Sequence, residues 1–487
     1  MSGGTWSPTD MPVLPGMFMN FQAAASSAIQ SGARGVVIVP VKAHWGPVRQ
    51  FVEISNEAAI KEHFSVDESN GATAFTTLFL SLLGRPKTLL AYRIADASAA
   101  EATTTIPGTD GTEMVKLTAK YPGERANQFS VTIKPSLVDA NAKEIKLYEG
   151  TALLRTIHIH DGSAEAAVEA INGDTINGQG WITAEKIADG VLGDVSGSMF
   201  AGGNSGISGL TNADYIAALS AFEGQDFNVL TLDGITDAAL RASLVAWVKR
   251  VRGEGKGIIA VLGGSKTDDT ASDAVSKTVA RGASMDFEGI VNVGTGGVLA
   301  GKEYSSAQTA AYVAGLIAGQ RLNESTTYAA SPFDDVTRRW TRAEQEQAVK
   351  NGVFLLIHDG RKVKALRGIN SLVTLRDGQN NAWKKIRTIR VMDAINDDLQ
   401  RTAEDVYIGK LNNTEEGQIA LIGACKEYLR VLSQSGVIKS TGYNVILDPK
   451  YYGSAPAKKP EPDQVFLQWN AELTDVMEQI FGTFYVQ

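Results

Sequence analysis

Short apolar runs recur along the chain, separated by stretches whose apolar positions repeat at helical spacing, and this rhythm restricts the fold more than any other feature. "RGVVIVPV" (34–41) and "TLLAYRI" (88–94) bracket the helix-like "AFTTLFLSLLG". Continuous apolar runs of this length are expected of strands covered on both faces. After Gly202 the rhythm returns as "FNVLTL", "TDAALRASLVAWVKRV", "GIIAVLG", "SDAVSKTVA", "GIVNVG" and "SAQTAAYVAGLIAGQRL". Strands alternating with amphipathic helices predict an α/β fold with a doubly wound parallel sheet. The strands "GVFLLIHD" and "KVKALRGI", with a turn at Asp359-Gly360, are expected to close it.

Two other regions break the rhythm. From about 95 to 198 the chain reads as short alternating segments, "MVKLTA", "FSVTIK", "EIKLYEG" and "LLRTIHIH", divided by Gly, Asn and Asp. That pattern predicts an inserted all-β sandwich with one helix at "SAEAAVEAIN". Past "WKKIRTIRV", Ile386, Ile389, Ile395, Leu399, Ala403 and Val406 form one helical stripe, and "GQIALIGACKEYLRVLSQSG" forms a second helix ending at Gly436. The linker "YYGSAPAKKPEPD" is too rich in Pro and Lys to pack. Beyond it Val465, Leu467, Trp469, Ala471 and Leu473 alternate with polar residues, as on a half-buried strand. The expected divisions are an arm at 1–33, α/β core at 34–94 and 201–378, the β insertion at 95–200, and an α+β C-terminal domain at 379–487.

Composition and spacing exclude several kinds of chemistry. With 54 acidic and 46 basic side chains the net charge is −8, which disfavours a nucleic-acid partner. Cys425 is the single cysteine, so it is expected to be a buried hydrophobe, and no disulfide forms within the chain. No apolar run reaches the ~18 residues of a membrane span. "MSGGTWSPTDMPVLPGMF" lacks the basic and apolar regions of a secretory signal, so residence in a cytoplasm is expected and the sequons at Asn323 and Asn412 go unused.

"AGGNSGISG" admits no G-x-G-x-x-G, "GEGKGI" lacks Ser or Thr after its lysine, and "LGGSKT" has Ser265 before Lys266, so no nucleotide cofactor is expected. None of the five histidines, His44, His63, His158, His160 and His358, lies between 202 and 352, so a Ser-His-Asp triad would need a base from outside that sheet. His158 and His160 share a strand face but lack a third metal ligand. The pairs Asp268-Asp269, Asp334-Asp335 and Asp397-Asp398 are expected to be solvated. The reading is a protein that is not an enzyme and holds no metal.

Both ends, by contrast, carry strand-forming apolar residues. "PGMFMNF" supplies Gly16, Met17, Phe18, Met19, Asn20 and Phe21, and the final residues supply Ile480, Phe481, Thr483, Phe484, Tyr485 and Val486. Two such arms are a liability in a monomer, but they suit a chain that adds strands to the sheet edge of a neighbour. The acceptor strand expected for them holds Val465, Leu467, Trp469 and Ala471.

"GGTW" with "PGMFMNF", "RGVVIVPVKAHWGP", "YPGERANQFSV", "AGGNSGISGLTNADYIAALSAFEG" and "RVMDAINDDLQ … YIGKLNNTEEGQIAL" resemble, in this order, segments of the sheath proteins of contractile phage tails. In "YPGERANQFSV" Ala126 stands where the family pattern has glycine. The family pattern also matches Gly202, Gly203, Gly206, Asp214 and Tyr215. This resemblance covers nearly the whole chain. It implies a subtilisin-like α/β core without protease chemistry, an inserted β sandwich and a C-terminal assembly domain with terminal strand arms. It further implies a virion protein assembled in the host cytoplasm as six-fold rings and a helical sheath. The partners so implied are other copies, the inner tail tube protein, and the baseplate and tail terminator proteins. The basic cluster Lys384, Lys385, Arg387 and Arg390 is the expected contact for an acidic tube surface. Two other classes remain open on the residues: a subtilisin-related hydrolase, short of a histidine, and a surface-layer or adhesion protein, short of a secretion signal.

Overall fold

Alternate residues of the strand Val36–Val41 enter two different cores. Val37, Val39 and Val41 pack with the helices Ala74–Leu83 and Ser306–Gly319, whereas Val36 and Ile38 pack with Asn212–Phe222 and Ala238–Gly253. A strand buried on both faces has no solvent side to mark with polar residues, which is why its sequence is an unbroken apolar run. It lies within a seven-stranded sheet ordered Val353–Phe354, Ile290–Val293, Ile259–Leu262, Val229–Thr231, Val36–Val41, Thr88–Arg93, Phe51–Glu53. Neighbours are parallel except Phe51–Glu53, which is antiparallel at one edge. The sheet is therefore the doubly wound one that the alternation predicts.

The computed structural model describes residues 3–4, 17–18, 29, 34–137, 139, 142–173, 180–456 and 458–486. It contains two compact bodies, one of Ala33–Asn396 with Val476–Gln487 and the other of Asp397–Asp475 with the N-terminal residues up to Gly32. One strand expectation is revised within the first body. "GVFLLIHD" splits, so that Val353–Phe354 joins the large sheet while Leu356–His358 pairs with Val363–Ala365 in a separate hairpin.

The inserted region is a sandwich. Its four-stranded sheet runs Ala152–Ile159, Lys143–Glu149, Phe129–Pro135, Val195–Met199, and its three-stranded sheet runs Ile182–Lys186, Glu113–Ala119, Thr103–Pro107. Phe129, Val131, Ile133, Ile145 and Leu147 face Ile106, Val115, Leu117 and Ile182 in its core, closed by Ala164, Ala167 and Ile171 of the helix Ala164–Gly173. Trp45 reaches this core from the loop after the first strand, with its ring 5.2 Å from Tyr121 and 5.4 Å from Phe129.

Where the chain leaves the α/β layers for the sandwich and returns, the backbone is tied by a buried cation. Arg93 is fully buried, and its guanidinium donates to the carbonyl oxygens of Gly46 (2.6 Å), Pro122 (2.7 Å) and Ser205 (3.1 Å). Burial alone lowers its pKa to about 10, so it remains a cation at neutral pH. The Asn127 side chain clamps Gly203, donating to its carbonyl at 2.9 Å and accepting from its N–H at 2.8 Å. The outgoing and returning strands also meet in the bridges Ala100 to Asn204 and Thr103 to Ala201. Gly123 has φ +151°, and a Cβ there would lie 1.8 Å from the His44 carbonyl oxygen. Ala126, by comparison, sits buried in the 3-10 turn Glu124–Gln128 and is not among the residues with positive φ, so that turn has no need of the family's glycine.

A second buried polar contact fixes the helix Ser306–Gly319. Asp269 is 1% exposed, and its carboxylate accepts from the Ser306 hydroxyl at 2.6 Å and the Ser306 N–H at 2.5 Å. Burial pushes this carboxyl up to about 6 against those hydrogen bonds, so Asp269 is not the solvated turn charge expected of the Asp268-Asp269 pair.

In the second body, the other exception among the expected solvated pairs is Asp398, which is 1% exposed and accepts from the Tyr428 hydroxyl at 2.6 Å. The buried face of the helix Ile386–Thr402 thus includes a carboxylate, which an apolar stripe does not reveal. Glu415–Gln434 buries Ala424, Cys425, Tyr428, Leu429 and Leu432. Burial pushes the Cys425 thiol up to about 12, in keeping with an inert core residue. Asn444–Leu447 pairs antiparallel with Leu467–Asn470, placing Val445 opposite Trp469. The connecting linker packs at its start, contrary to expectation. Tyr451 stacks on Phe466 with centroids 3.8 Å apart, because an aromatic at the strand entry offers it an apolar face.

Two measurements check these ties. Arg93→Met leaves three buried carbonyls without their charged donor and is expected to lower unfolding free energy by about 3 kcal/mol. Hydrogen exchange should rise first at 122–127 and 203–206; unchanged protection there would contradict the tie. For Asp269 the folded pKa exceeds the unfolded one, so the group favours folding at low pH and that contribution is lost as pH rises from about 4 to about 6. The loss is on the order of 3 kcal/mol. Asp269→Asn should therefore gain stability relative to wild type across that window in denaturation curves; a flat difference profile would refute the assignment.

Candidate assembly site

The C-terminal arm leaves its large side chains in water. Met477, Ile480, Phe481, Phe484, Tyr485 and Val486 are between 84% and 90% exposed, and Thr483 is exposed among them. Among the described residues, 474–486 join no strand. Contiguous exposed apolar segments of this kind are uncommon on monomeric proteins. At the other terminus, Met17–Phe18 pairs in parallel with Gly3–Gly4 over two residues. Gly16, Met19, Asn20 and Phe21 lie outside the described residues.

The hairpin in the second body is a two-stranded sheet, with no further strand on either outer edge among the described residues. Val465, Leu467 and Trp469 are half-buried and Ala471 is exposed. Its backbone edges are therefore geometrically open to added strands.

The basic cluster is not the surface patch that the sequence predicts. Arg387 is buried, and the guanidinium of Arg390 donates to the Gln320 carbonyl at 2.6 Å, with burial lowering its pKa to about 10. Lys385 lies 3.2 Å from the carboxylate of Glu478, and Lys384 is half-buried. Lys384 ends the 3-10 helix Asn381–Lys384 and Lys385 caps it in extended backbone, whereas Arg387 and Arg390 lie on the helix Ile386–Thr402, so the four cations do not share one helical face. Arg387 and Arg390 serve the interior of the fold, so the four residues do not form one contact for a tube.

Constellations that resemble catalytic sites prove to be closed structural contacts. Open α/β sheets bind ligands where neighbouring crossovers diverge at the strand carboxyl ends. Here that position lies beyond Val36–Val41 and Val229–Thr231, and it is occupied by Asp233, whose side chain is fully buried. The Asp233 carboxylate accepts from the Tyr215 hydroxyl at 3.0 Å and the Thr73 hydroxyl at 2.9 Å, and lies 3.3 Å from Lys42 Nζ. Burial and the adjacent Asp233 charge raise the Tyr215 phenol, which therefore stays a donor.

His44 Nδ1 lies 2.7 Å from Ser205 Oγ, and Glu124 is 3.7 Å from the same ring nitrogen. This arrangement resembles a nucleophile with its base. His44 Nε2, however, is 3.0 Å from the Ser69 carbonyl, Ser205 Oγ accepts from the Glu124 N–H at 3.0 Å, and His44 and Ser205 are 1% and 2% exposed. The pair is saturated by the fold and offers substrate no approach. Spacing alone could not find it, because 161 residues separate the two partners.

The glycine-rich loop has a comparable explanation. A Cβ on Gly203 would lie 2.4 Å from the Gly123 carbonyl oxygen, so the glycine admits close backbone packing at the sandwich junction. Among the described residues, no group of three or more His, Cys, Asp or Glu is placed to hold a metal, and no helix is long and apolar enough to cross a membrane.

Three family models, each describing part of a phage tail sheath protein, match the chain. The beta-sandwich domain matches residues 95–205, the central domain 208–371 and the C-terminal domain 378–487. The chain is 30% identical to the Bacillus subtilis protein YqbK over 416 residues, covering 82% of this chain and 81% of that one. The crystal structure of the sheath tail protein from Desulfitobacterium hafniense superposes with a TM-score of 0.70 at 27% identity, covering 94% of this chain and 100% of that one. The helical sheath of the anti-feeding prophage in its contracted state shares the fold at 13% identity, with a TM-score of 0.53 and coverage of 98% and 99%. The chain belongs to the phage tail sheath protein family.

Proposed function

We propose that this chain polymerises through its terminal arms into stacked six-fold rings around an inner tail tube, forming a helical sheath whose contraction drives the tube through a cell envelope. Tail sheath proteins are structural rather than enzymatic, and they are parts of phage or phage-like particles. The observation that carries the proposal is the exposed apolar C-terminal arm in a chain that also owns an open-edged hairpin. In assembly, Ile480, Phe481, Thr483, Phe484, Tyr485 and Val486 add a strand beside Val465, Leu467, Trp469 and Ala471 of a neighbour. The segment Gly16, Met17, Phe18, Met19, Asn20 and Phe21 supplies the second link. The contracted anti-feeding prophage sheath has the same fold, which supports extending contraction to this chain. During contraction the folded bodies move as units while the exchanged strands keep them connected. Baseplate and tail terminator proteins bound the two ends of the polymer.

The magnitudes suit a reversible joint. About five ladder hydrogen bonds at ~0.5 to 1.5 kcal/mol and two or three aromatic side chains at ~1.5 to 3 kcal/mol give on the order of 10 kcal/mol gross. Ordering the arm offsets much of this, at about 1 to 2 kcal/mol per backbone residue. A single joint is then marginal, whereas a closed ring gains from effective concentration.

Deleting 481–487 is expected to leave a folded monomer by circular dichroism and size-exclusion chromatography, with no tubes in negative-stain micrographs. Tubes built by the truncated chain, or its aggregation, would place the arm in its own core and refute strand donation.

A further inference from the structure

One residue at the root of the exposed arm is held firmly to the α/β body. Glu478 lies between Met477, 90% exposed, and Ile480, 85% exposed, yet its own side chain is 9% exposed. Its Oε1 accepts from the Thr327 hydroxyl at 2.8 Å, and its Oε2 lies 3.2 Å from Arg367 and 3.2 Å from Lys385 Nζ. The socket is also braced from within the body. Thr327 Oγ1 accepts from the Gly368 N–H at 2.9 Å, which leaves its proton for the carboxylate. The next residue, Tyr328, holds a φ of +58° that is strained for a side chain of its size. Glu478 and Gln479 also form one wall of a groove of about 470 Å³ that includes Lys350 of the helix Arg342–Lys350. A carboxylate between two cations gains charge-assisted bonds on both sides and is shielded here from solvent.

We propose that Glu478 is an assembly-positioning residue. It ties the arm root to the socket of Thr327, Arg367 and Lys385, so that 479–486 leave the body from a fixed point as a donor strand for a second copy of this chain. The role rests on reading 479–486 as that donor. Lys385, expected from sequence to meet a tube, acts instead within this anchor. A fixed origin matters because each backbone residue that must be ordered during docking weakens the joint about five- to thirty-fold.

The test uses the full chain with nitroxide labels on Gln479→Cys and Lys350→Cys, since Cys425 is buried with a thiol pushed up to about 12 and stays unlabelled. In the monomer, a narrow distance distribution is expected for the parent and a broad one for Glu478→Ala. Assembly of Glu478→Ala, followed by light scattering, should slow about ten-fold, consistent with re-ordering one residue. Glu478→Gln, which keeps an acceptor for the Thr327 hydroxyl without the charge, should recover part of the narrow distribution and part of the rate. An unchanged distribution in Glu478→Ala overturns the anchor. Parent-like assembly of Glu478→Ala, alongside a 481–487 deletion that does not assemble, overturns the positioning role while leaving strand donation standing. If the deletion itself assembles, strand donation fails first.

Discussion

The α/β body depends on a buried guanidinium with no carboxylate beside it among the described residues. Arg93 ends the strand that precedes the insertion, and it reaches carbonyls from the loop after Val36–Val41, from the connection between the sandwich strands Glu113–Ala119 and Phe129–Pro135, and from the returning segment. An excursion of about a hundred residues would otherwise be hinged at two flexible crossings. A planar cation with several donors satisfies carbonyls from three directions, whereas an anion would leave them unpaired. Trp45 and the Asn127 clamp on Gly203 complete the junction from either side. The sandwich is thereby built into the fold rather than appended to it.

The same economy explains why a sheet topology that often carries a ligand site carries none of the usual chemistry here. The crevice at the strand ends is filled by Asp233 with Tyr215, Thr73 and Lys42, each a hydrogen-bond or ion-pair partner of the carboxylate. His44 and Ser205 hold a geometry that in an open cleft would activate a hydroxyl, but their remaining polar atoms are occupied and the pair is buried. Burial turns groups with catalytic potential into struts, because a polar atom without water must be satisfied by the protein. This fits a family that works by movement and contact rather than by bond chemistry.

The proposed assembly places function at the periphery, on the surfaces the core leaves unsatisfied. The apolar arm and the hairpin are complementary in kind, since among the described residues one lacks a sheet and the other lacks neighbouring strands. In the proposed assembly, an arm weakly held at each joint and strongly held in a closed ring lets subunits remain separate until assembly begins. In that proposal a fixed arm root adds control at the stage before the joint forms.

Local pattern alone determined much of this. Apolar runs and helical spacing are set by nearest neighbours, so the parallel sheet, the β insertion with its helix and the apolar termini can all be read from residue order. Phe481, Phe484 and Tyr485 read as strand-forming for the same reason, although 474–486 join no strand in the folded chain. Contacts between residues far apart in sequence were not legible. The burial of Asp269 and Asp398, the meeting of His44 with Ser205 and the dispersal of Lys385, Arg387 and Arg390 onto different partners were decided by tertiary structure. A charged residue looks the same in sequence whether it faces water or a buried partner. Only the folded chain, by bringing Glu478 to Arg367 and Lys385, decides which charges are surface and which are joints.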